Sequence, residues 1–519
     1  MRQLFFYCLE RRNVRKYETE ILRFLNETGS TWCPLSVLST FNVEDALRSQ
    51  AIYCRDVKGT VFVTLPYFYW QEKRIARKVV ARIKPLPVER QLVSELISKF
   101  EAMESQRMGF KFQFAEEQKE GIFTFIGNNL AILTGGPGTG KTSVLKCAAT
   151  IIKWINGKTS ITFTAPTGKA ARRVTESSGF PATTLQRDIG DSGCGNPLKF
   201  VFVDNYFTDE CSMLDMDTFE KTLDSLGPNT HFYLVGDVNQ LPSVGIGAVL
   251  RDLIDSKAIP CCQLEKTFRQ DNSSVLFDNI QIVNSGGYIP LQEGPDFVRI
   301  KTEENVMQTC IERYISGVKE FGLDQTVILT PYRKEGTICS EKLNNILQKK
   351  LNPIGSAPFI KTTVYHDEGR ALPIIFQTGD PVMQLFNRDY IANGDVGKII
   401  NVKPEKGIVV VKYCDCTIEY QKDELDQLDL AYSLSIHKSQ GSEYKNVIIP
   451  ILRENKNVDR NSIYTGITRA KKVCCLIGED QVIMDACKIQ SAWQRYTALA
   501  DEIEQAFYEK KLVEQIMVS

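Results

Sequence analysis

Three histidines in 519 residues leave little room for chemistry built on imidazole. A transition-metal site would have to draw on carboxylates and thiols, and the one close cysteine pair with alternating spacing, Cys414 and Cys416 in KYCDCTIEY, has few partners to complete it. The fifteen cysteines are otherwise scattered or adjacent (Cys261 and Cys262, Cys474 and Cys475) in apolar runs such as VCCLIG. That pattern fits buried free thiols in a reducing compartment better than a disulfide framework. Net charge is lacking too, with 63 basic against 63 acidic residues. The balance excludes a chain coated in positive charge and leaves a local basic channel open. No run of about 18 uninterrupted apolar residues is present. The N-terminal MRQLFFYCLERRNVRKYE has too short an apolar patch, followed by charges, for a signal peptide, so the expected location is the cytoplasm. Repeats and low-complexity tracts are also missing.

What is present is the composition of globular domains, 43% hydrophobic and 24% charged, over a length sufficient for three or four of them. Short apolar runs (NLAILTG, SITFTAP, HFYLVGD, QTVILTP, NVIIPI, KVCCLIG) alternate with longer amphipathic stretches. The alternation predicts an α/β chain with parallel sheets covered by helices. Residues 1 to 105 differ, with helical segments YETEILRFLNE and VEDALRSQ, a strand pair around AIYCRDVKGTVFVTL and a charged helix EKRIARKVVARI. Helices followed by a hairpin read as a winged-helix-like module. Close turn spacing over residues 354 to 428 predicts a small inserted β-barrel.

The clearest chemistry lies in LTGGPGTGKTSVL. Gly135, Gly136, Pro137, Gly138, Thr139, Gly140, Lys141, Thr142 and Ser143 match the full P-loop pattern, between a strand-like NLAILT and a helix-compatible SVLKCAATIIKW. Backbone amides of such a turn surround a polyphosphate, Lys141 neutralises its terminal phosphates, and Thr142 offers a hydroxyl to Mg²⁺. A dinucleotide fold is the rival for GPGTGK, but the lysine-threonine ending has no use there. A P-loop also needs a carboxylate for the metal and one for water. Asp209 and Glu210, after the apolar approach in VFVDNYFTDECSMLD, supply both. A further strand ends in Gly236, Asp237 and Gln240, where a polar side chain beside the P-loop can sense a γ-phosphate.

In order along the chain, GGPGTGKT, APTGKAARRV, DECSM, GDVNQLPSVG, TFRQ, LAYSLSIHKSQGSEY and YTGITRAKK resemble the motif series of superfamily 1B helicases of the RecD type, with the short form of RecD2-like helicases the closest likeness. The resemblance implies two RecA-like P-loop NTPase domains around one ATP. On this reading domain 1A spans 106–265, with a short hairpin 1B at about 188–203. Domain 2A spans 266–353 and 429–519, and an SH3-like 2B insertion spans 354–428. Gln118 would read adenine, Asp209 would hold Mg²⁺ with Thr142, and Glu210 would activate the attacking water. Gln240 would couple the γ-phosphate to DNA, and Arg269 and Arg469 would reach the nucleotide from the second domain.

The same resemblance implies a strand-binding path through Pro166, Thr167, Lys169, Thr184 and Arg187 in the first domain. In the second it runs through Thr330, Pro331, Tyr332, His437, Ser439 and Gln440. Two departures stand out. TLQR at 184 to 187 carries Gln186 where the family has a histidine, and the DIGDSGCGNPLKFVF stretch leaves only a short pin. The implied activity is ATP-driven movement 5′ to 3′ on single-stranded DNA and opening of duplex at single-strand/duplex junctions. Its setting would be repair, recombination or replication, close to the nucleoid in a bacterium. Two alternatives stay open. One is a motor subunit of a nuclease or repair complex with protein partners. The other is a DNA-dependent ATPase switch that does not unwind.

Overall fold

The structure is a computed structural model that describes residues 16–518, except 39–42, 192–196, 267–273, 288, 303, 335, 366–370, 387, 389–390, 392, 414–415 and 491–493. Two parallel sheets dominate it. The first has six strands in the spatial order Ala182–Thr184, Ile161–Ala165, Asn205–Thr208, His231–Gly236, Leu130–Gly135 and Cys261–Leu264, all parallel. The central Leu130–Gly135 is buried at every position, as an apolar strand covered on both faces must be. On one face lies the helix Lys141–Asn156, which turns Val144, Leu145, Ala148, Ile151 and Ile152 into a core shared with Phe125, Phe163, Phe207 and Tyr233. The opposite core joins Phe219, Phe232 and Leu253 to Ile75, Val79 and Leu499. Truncating one such side chain to alanine costs about 2–5 kcal/mol.

The second parallel sheet runs Phe297–Ile300, Ala470–Ile477, Tyr444–Pro450, Thr326–Thr330 and Ser433–Ser435. The apolar runs picked out as strand candidates are therefore strands, three in each sheet. Between the fourth and fifth of these strands the chain makes an antiparallel hairpin, Phe359–Tyr365 with Ala371–Gln377, and a five-stranded antiparallel sheet. The last strand of that sheet, Leu428–Leu430, pairs with Pro381–Gln384 and carries the sheet just past residue 428.

Near the N-terminus, helices Lys16–Thr28 and Val43–Arg48 pack on a three-stranded antiparallel sheet of Cys33–Pro34, Thr60–Thr64 and Tyr53–Val57. The segments that follow, expected in the same module, behave differently. Helix Pro66–Arg82 buries Ile75, Ala76, Val79 and Val80 against the first parallel sheet, and helix Arg90–Met108 places Val93, Ile97 and Phe100 in the core of the P-loop helix. Their apolar faces are completed there and not by the small sheet. Among the described residues of 188–203 no two strands pair. Val201 makes an isolated bridge with Leu226, and residues 192–196 of the expected hairpin lie outside the described residues. No helix among the described residues is long and apolar enough to cross a membrane. The described cysteines form no disulfide and are mostly buried, while Cys414 lies outside the described residues.

Candidate nucleotide and strand-binding site

The loop after Leu130–Gly135 wraps the N-terminus of helix Lys141–Asn156, so its amides converge where an anion is favoured. Gly140 has φ +84°, and a β-carbon there would lie 2.3 Å from Gln118 Nε2. That position therefore requires glycine on two counts. Gln118 is buried and donates to Thr139 O at 2.8 Å, while its Oε1 accepts the Ala115 amide at 3.0 Å. The residue expected to read a base thus also braces the phosphate loop. Lys141 Nζ donates to Gly135 O (2.6 Å) and Gly136 O (2.9 Å), and Thr139 Oγ1 donates to Gly136 O (2.9 Å). Pro137, Gly138, Thr142 and Ser143 complete the turn and the first helical residues.

Asp209 and Glu210 follow strand Asn205–Thr208 of the same sheet, one strand removed from the P-loop strand. Burial and the neighbouring Glu210 push the Asp209 carboxyl above its ordinary value, against the opposing pull of Lys141. Lys141 and a divalent cation would both relieve that cost, which is what a metal-holding carboxylate needs. Glu210 has φ +54°, a left-handed conformation that is strained by about 1 kcal/mol for a residue with a β-carbon. Its amide donates to Asp209 Oδ1 at 2.8 Å, so the turn that strains Glu210 also orients its neighbour.

From the second sheet, helix Arg460–Thr468 crosses to this site. Asn461 Nδ2 donates to Asn239 O (2.9 Å) and Gln240 O (3.1 Å), Tyr464 Oη donates to Asp237 Oδ2 (2.9 Å), and the Leu241 amide donates to Thr465 Oγ1 (2.8 Å). Gln440 Nε2 adds a bond to Leu241 O at 3.1 Å. Gln240 is buried among these contacts, and its Oε1 has no hydrogen-bond partner. Arg469, at the end of the helix, is 2% exposed and donates to Thr465 O, Ser442 O and Thr468 Oγ1. Burial lowers the pKa of its guanidinium, with the Glu210 carboxylate pulling the other way. Arg269 lies outside the described residues.

The segments expected to bind a strand, one from each sheet, also meet. Pro166 and Thr167 follow strand Ile161–Ala165, and Thr184 stands beside Ala165 on the neighbouring strand. Thr167 Oγ1 accepts the Ala170 amide and so caps the helix Gly168–Ser178. Lys169 Nζ lies 4.8 Å from the Tyr444 ring centroid and 3.3 Å from its hydroxyl. Arg173 pairs with Glu443 at 2.6 Å, Lys471 pairs with the same carboxylate, and Arg172 pairs with Asp395. Arg187 is exposed on the short helix Leu185–Asp188.

In the second unit, Thr330, Ser439 and Gln440 are buried, and their side chains donate to Tyr332 O, Ile436 O and Leu241 O. These three side chains are turned inward, whereas His437 is exposed and Pro331 and Tyr332 are partly so. The Tyr332 hydroxyl accepts the Asn457 amide at 3.1 Å. The residues that sequence reasoning passed over are Asn461, Tyr464 and Thr465. Their i, i+3, i+4 spacing, just before Arg469, is a signal that one helix face points at the nucleotide side.

Residues 113–286 match a family model described as an AAA domain, and residues 430–477 match a UvrD-like helicase C-terminal domain. The chain is 32% identical over 368 residues to the ATP-dependent RecD2 DNA helicase of Deinococcus radiodurans, a match covering 69% of this chain and 48% of that protein. It is 27% identical over 432 residues to the RecBCD enzyme subunit RecD of Mycolicibacterium smegmatis, covering 75% of each. The chain thus spans about half the length of the RecD2 relative. The crystal structure of Bacteroides Pif1 bound to ssDNA aligns with 77% of this chain and 98% of that one, at 16% identity and a TM-score of 0.46. The matches to RecD2 and RecD proteins extend well beyond the P-loop, and the motif series stands in order across both parallel sheets. On those grounds the chain is similar, across both parallel sheets, to helicases of the RecD type.

Proposed function

We propose that the chain is an ATP-driven motor that moves 5′ to 3′ on single-stranded DNA and opens duplex at a junction. The observation that carries this reading is the helix Arg460–Thr468, which brings the second parallel-sheet unit against the Asp237–Leu241 loop of the unit that bears the P-loop. The Lys169 and Arg173 contacts bridge the same two units at the strand-binding segments, so one relative movement alters both places.

In this reading Lys141 exchanges the Gly135 and Gly136 carbonyls for the terminal phosphates of ATP, and Gln118 holds the base side. Thr142 and Asp209 would hold Mg²⁺, which draws charge from the β- and γ-phosphates. Glu210 orients and deprotonates the attacking water. Arg469, released from Thr465 O, Ser442 O and Thr468 Oγ1, approaches the phosphates as the units close. Gln240, buried and with an unsatisfied oxygen, passes that closure to the loop that Gln440 also grips. Lys169, Thr167, Thr184 and Arg187 on one side and Tyr332 and His437 on the other take the strand, whose phosphates compete for Arg173 with Glu443. The N-terminal helices and small sheet serve as a winged-helix-like module. The antiparallel insertion serves as an SH3-like wall that keeps the strand on the motor.

The test is ATP hydrolysis with and without single-stranded DNA, beside unwinding of forked duplexes carrying 5′ or 3′ tails. Strand-stimulated hydrolysis with unwinding from the 5′ tail is the expected result, and absence of stimulation overturns the motor reading. A second reading, a motor subunit of a nuclease complex, is favoured by the likeness to proteins named RecBCD enzyme subunit RecD. It predicts stimulated hydrolysis without unwinding by the pure chain.

A further inference from the structure

Tyr464 belongs to the second unit, yet its hydroxyl sits at the nucleotide cradle of the first. The side chain is 2% exposed, its ring packs in the core with Ile463, Ile467 and Ile449, and its Oη donates to Asp237 Oδ2 at 2.9 Å. Asp237 is 1% exposed, and its other oxygen accepts the Asn239 amide at 3.0 Å. Burial raises the pKa of this carboxyl and the charge of Lys141 lowers it, which places Asp237 within electrostatic reach of the P-loop lysine. On its other side the hydroxyl faces the P-loop. A β-carbon added to Gly136 would lie 3.1 Å from Tyr464 Oη, so the second glycine of the loop leaves the space into which the tyrosine fits.

We propose that Tyr464 is a positioning residue for ATP hydrolysis, whose hydroxyl holds Asp237 and the P-loop backbone in register with the helix that carries Arg469. The hydrogen bond exists only while the two units are in contact, and its acceptor lies on the loop that continues to Gln240. It therefore ties the approach of the arginine to the state of the cradle. The inference rests on the motor reading above. Asn461 and Thr465 bond to the same loop through two backbone carbonyls and a backbone amide and tolerate its side chains, whereas the Tyr464 contact depends on an acceptor side chain at position 237.

Tyr464→Phe keeps the ring and removes the donor. We expect kcat for strand-stimulated hydrolysis to fall about tenfold, with KM for ATP changed by less than about twofold, because the lost interaction orients the bound state without adding to nucleotide affinity. The melting temperature should stay within about 2 °C. Introduced into Asp237→Ala, the same substitution should lower kcat by less than about twofold further, since its partner is already gone. Wild-type kcat in Tyr464→Phe, or an undiminished loss in the Asp237→Ala background, would overturn the inference and leave the motor reading intact. A wild-type chain whose hydrolysis ignores single-stranded DNA would overturn both.

Discussion

Lys141 spends its charge on two carbonyls of its own loop, Gly135 O and Gly136 O, and a polyphosphate offers it a stronger partner in the same place. Lys141→Ala should therefore abolish measurable hydrolysis while the melting temperature changes little, because the half-buried ammonium braces only the loop. Glu210 is a different kind of residue. Its left-handed backbone is kept at a cost, and Glu210→Gln preserves both shape and turn. That variant should bind ATP and hydrolyse it roughly 100-fold more slowly, as expected when a positioned base is lost. Normal turnover in Glu210→Gln would move the base to another residue. The residues of the cradle were legible in the sequence because phosphate and metal chemistry restrict the residue types and their spacing. Tyr464 was not, since its partner Asp237 is 227 positions away and only the folded chain brings the two together.

At the scale of elements, the helix Gly168–Ser178 carries three engaged cations: Lys169 and Arg173 meet Tyr444 and Glu443 of the second unit, and Arg172 meets Asp395 of the antiparallel insertion. Lys169 is held most loosely, over an aromatic ring and near a hydroxyl, so its ammonium remains available to a phosphate. Lys169→Ala should weaken binding of single-stranded DNA and reduce the slope of log K against log salt by about 0.7, the share of one phosphate contact on a single strand. An unchanged salt slope would remove Lys169 from the strand path. Six apolar runs became parallel strands because burial on both faces demands continuous hydrophobicity, a pattern that needs no tertiary information. The helix Arg90–Met108 is a different case, since nothing in its sequence says that Phe100 packs on the P-loop helix and not on the small N-terminal sheet.

The molecule is closed from behind by its C-terminal segment. After the last strand of the second sheet the chain returns to the first unit, where helix Leu499–Val518 packs along Pro66–Arg82. Arg495 Nη1 donates to Ser243 Oγ and to the carbonyls of Gly245 and Gly247, and Nη2 to Ser243 O at 2.6 Å, all in the loop that follows Gln240. Arg495→Ala leaves these partly buried carbonyls without their donor. It should destabilise the fold by about 3 kcal/mol, read as a loss of melting temperature.

Nearby, Glu72 accepts from Thr31 Oγ1, Trp32 Nε1 and the Ala498 amide, joining the N-terminal sheet, the Pro66–Arg82 helix and the C-terminal segment. Burial outweighs these three donors and pushes the carboxyl up to about 7, above its ordinary 4.5. The folded state then holds the proton more tightly than the unfolded one. The contribution is full below pH 4.5 and is lost as pH rises through 7, by at most about 3 kcal/mol. Melting at pH 5 and pH 8 should show this decline in the wild type and a flatter profile in Glu72→Gln. Equal slopes in the two proteins would assign the decline to other groups.

The sequence by itself determined the glycine-rich loop between strand and helix, the Asp209–Glu210 pair at a strand end and the apolar runs of the parallel sheets. Phosphate, metal and sheet burial each constrain residues close together in the chain, and local constraints leave local patterns. Tertiary structure alone decided which helix of the second unit touches the cradle, which cations of Gly168–Ser178 are engaged, and that residues 495–518 return to the first unit. Those contacts join positions hundreds of residues apart, and each partner, taken singly, is an ordinary tyrosine, arginine or glutamate.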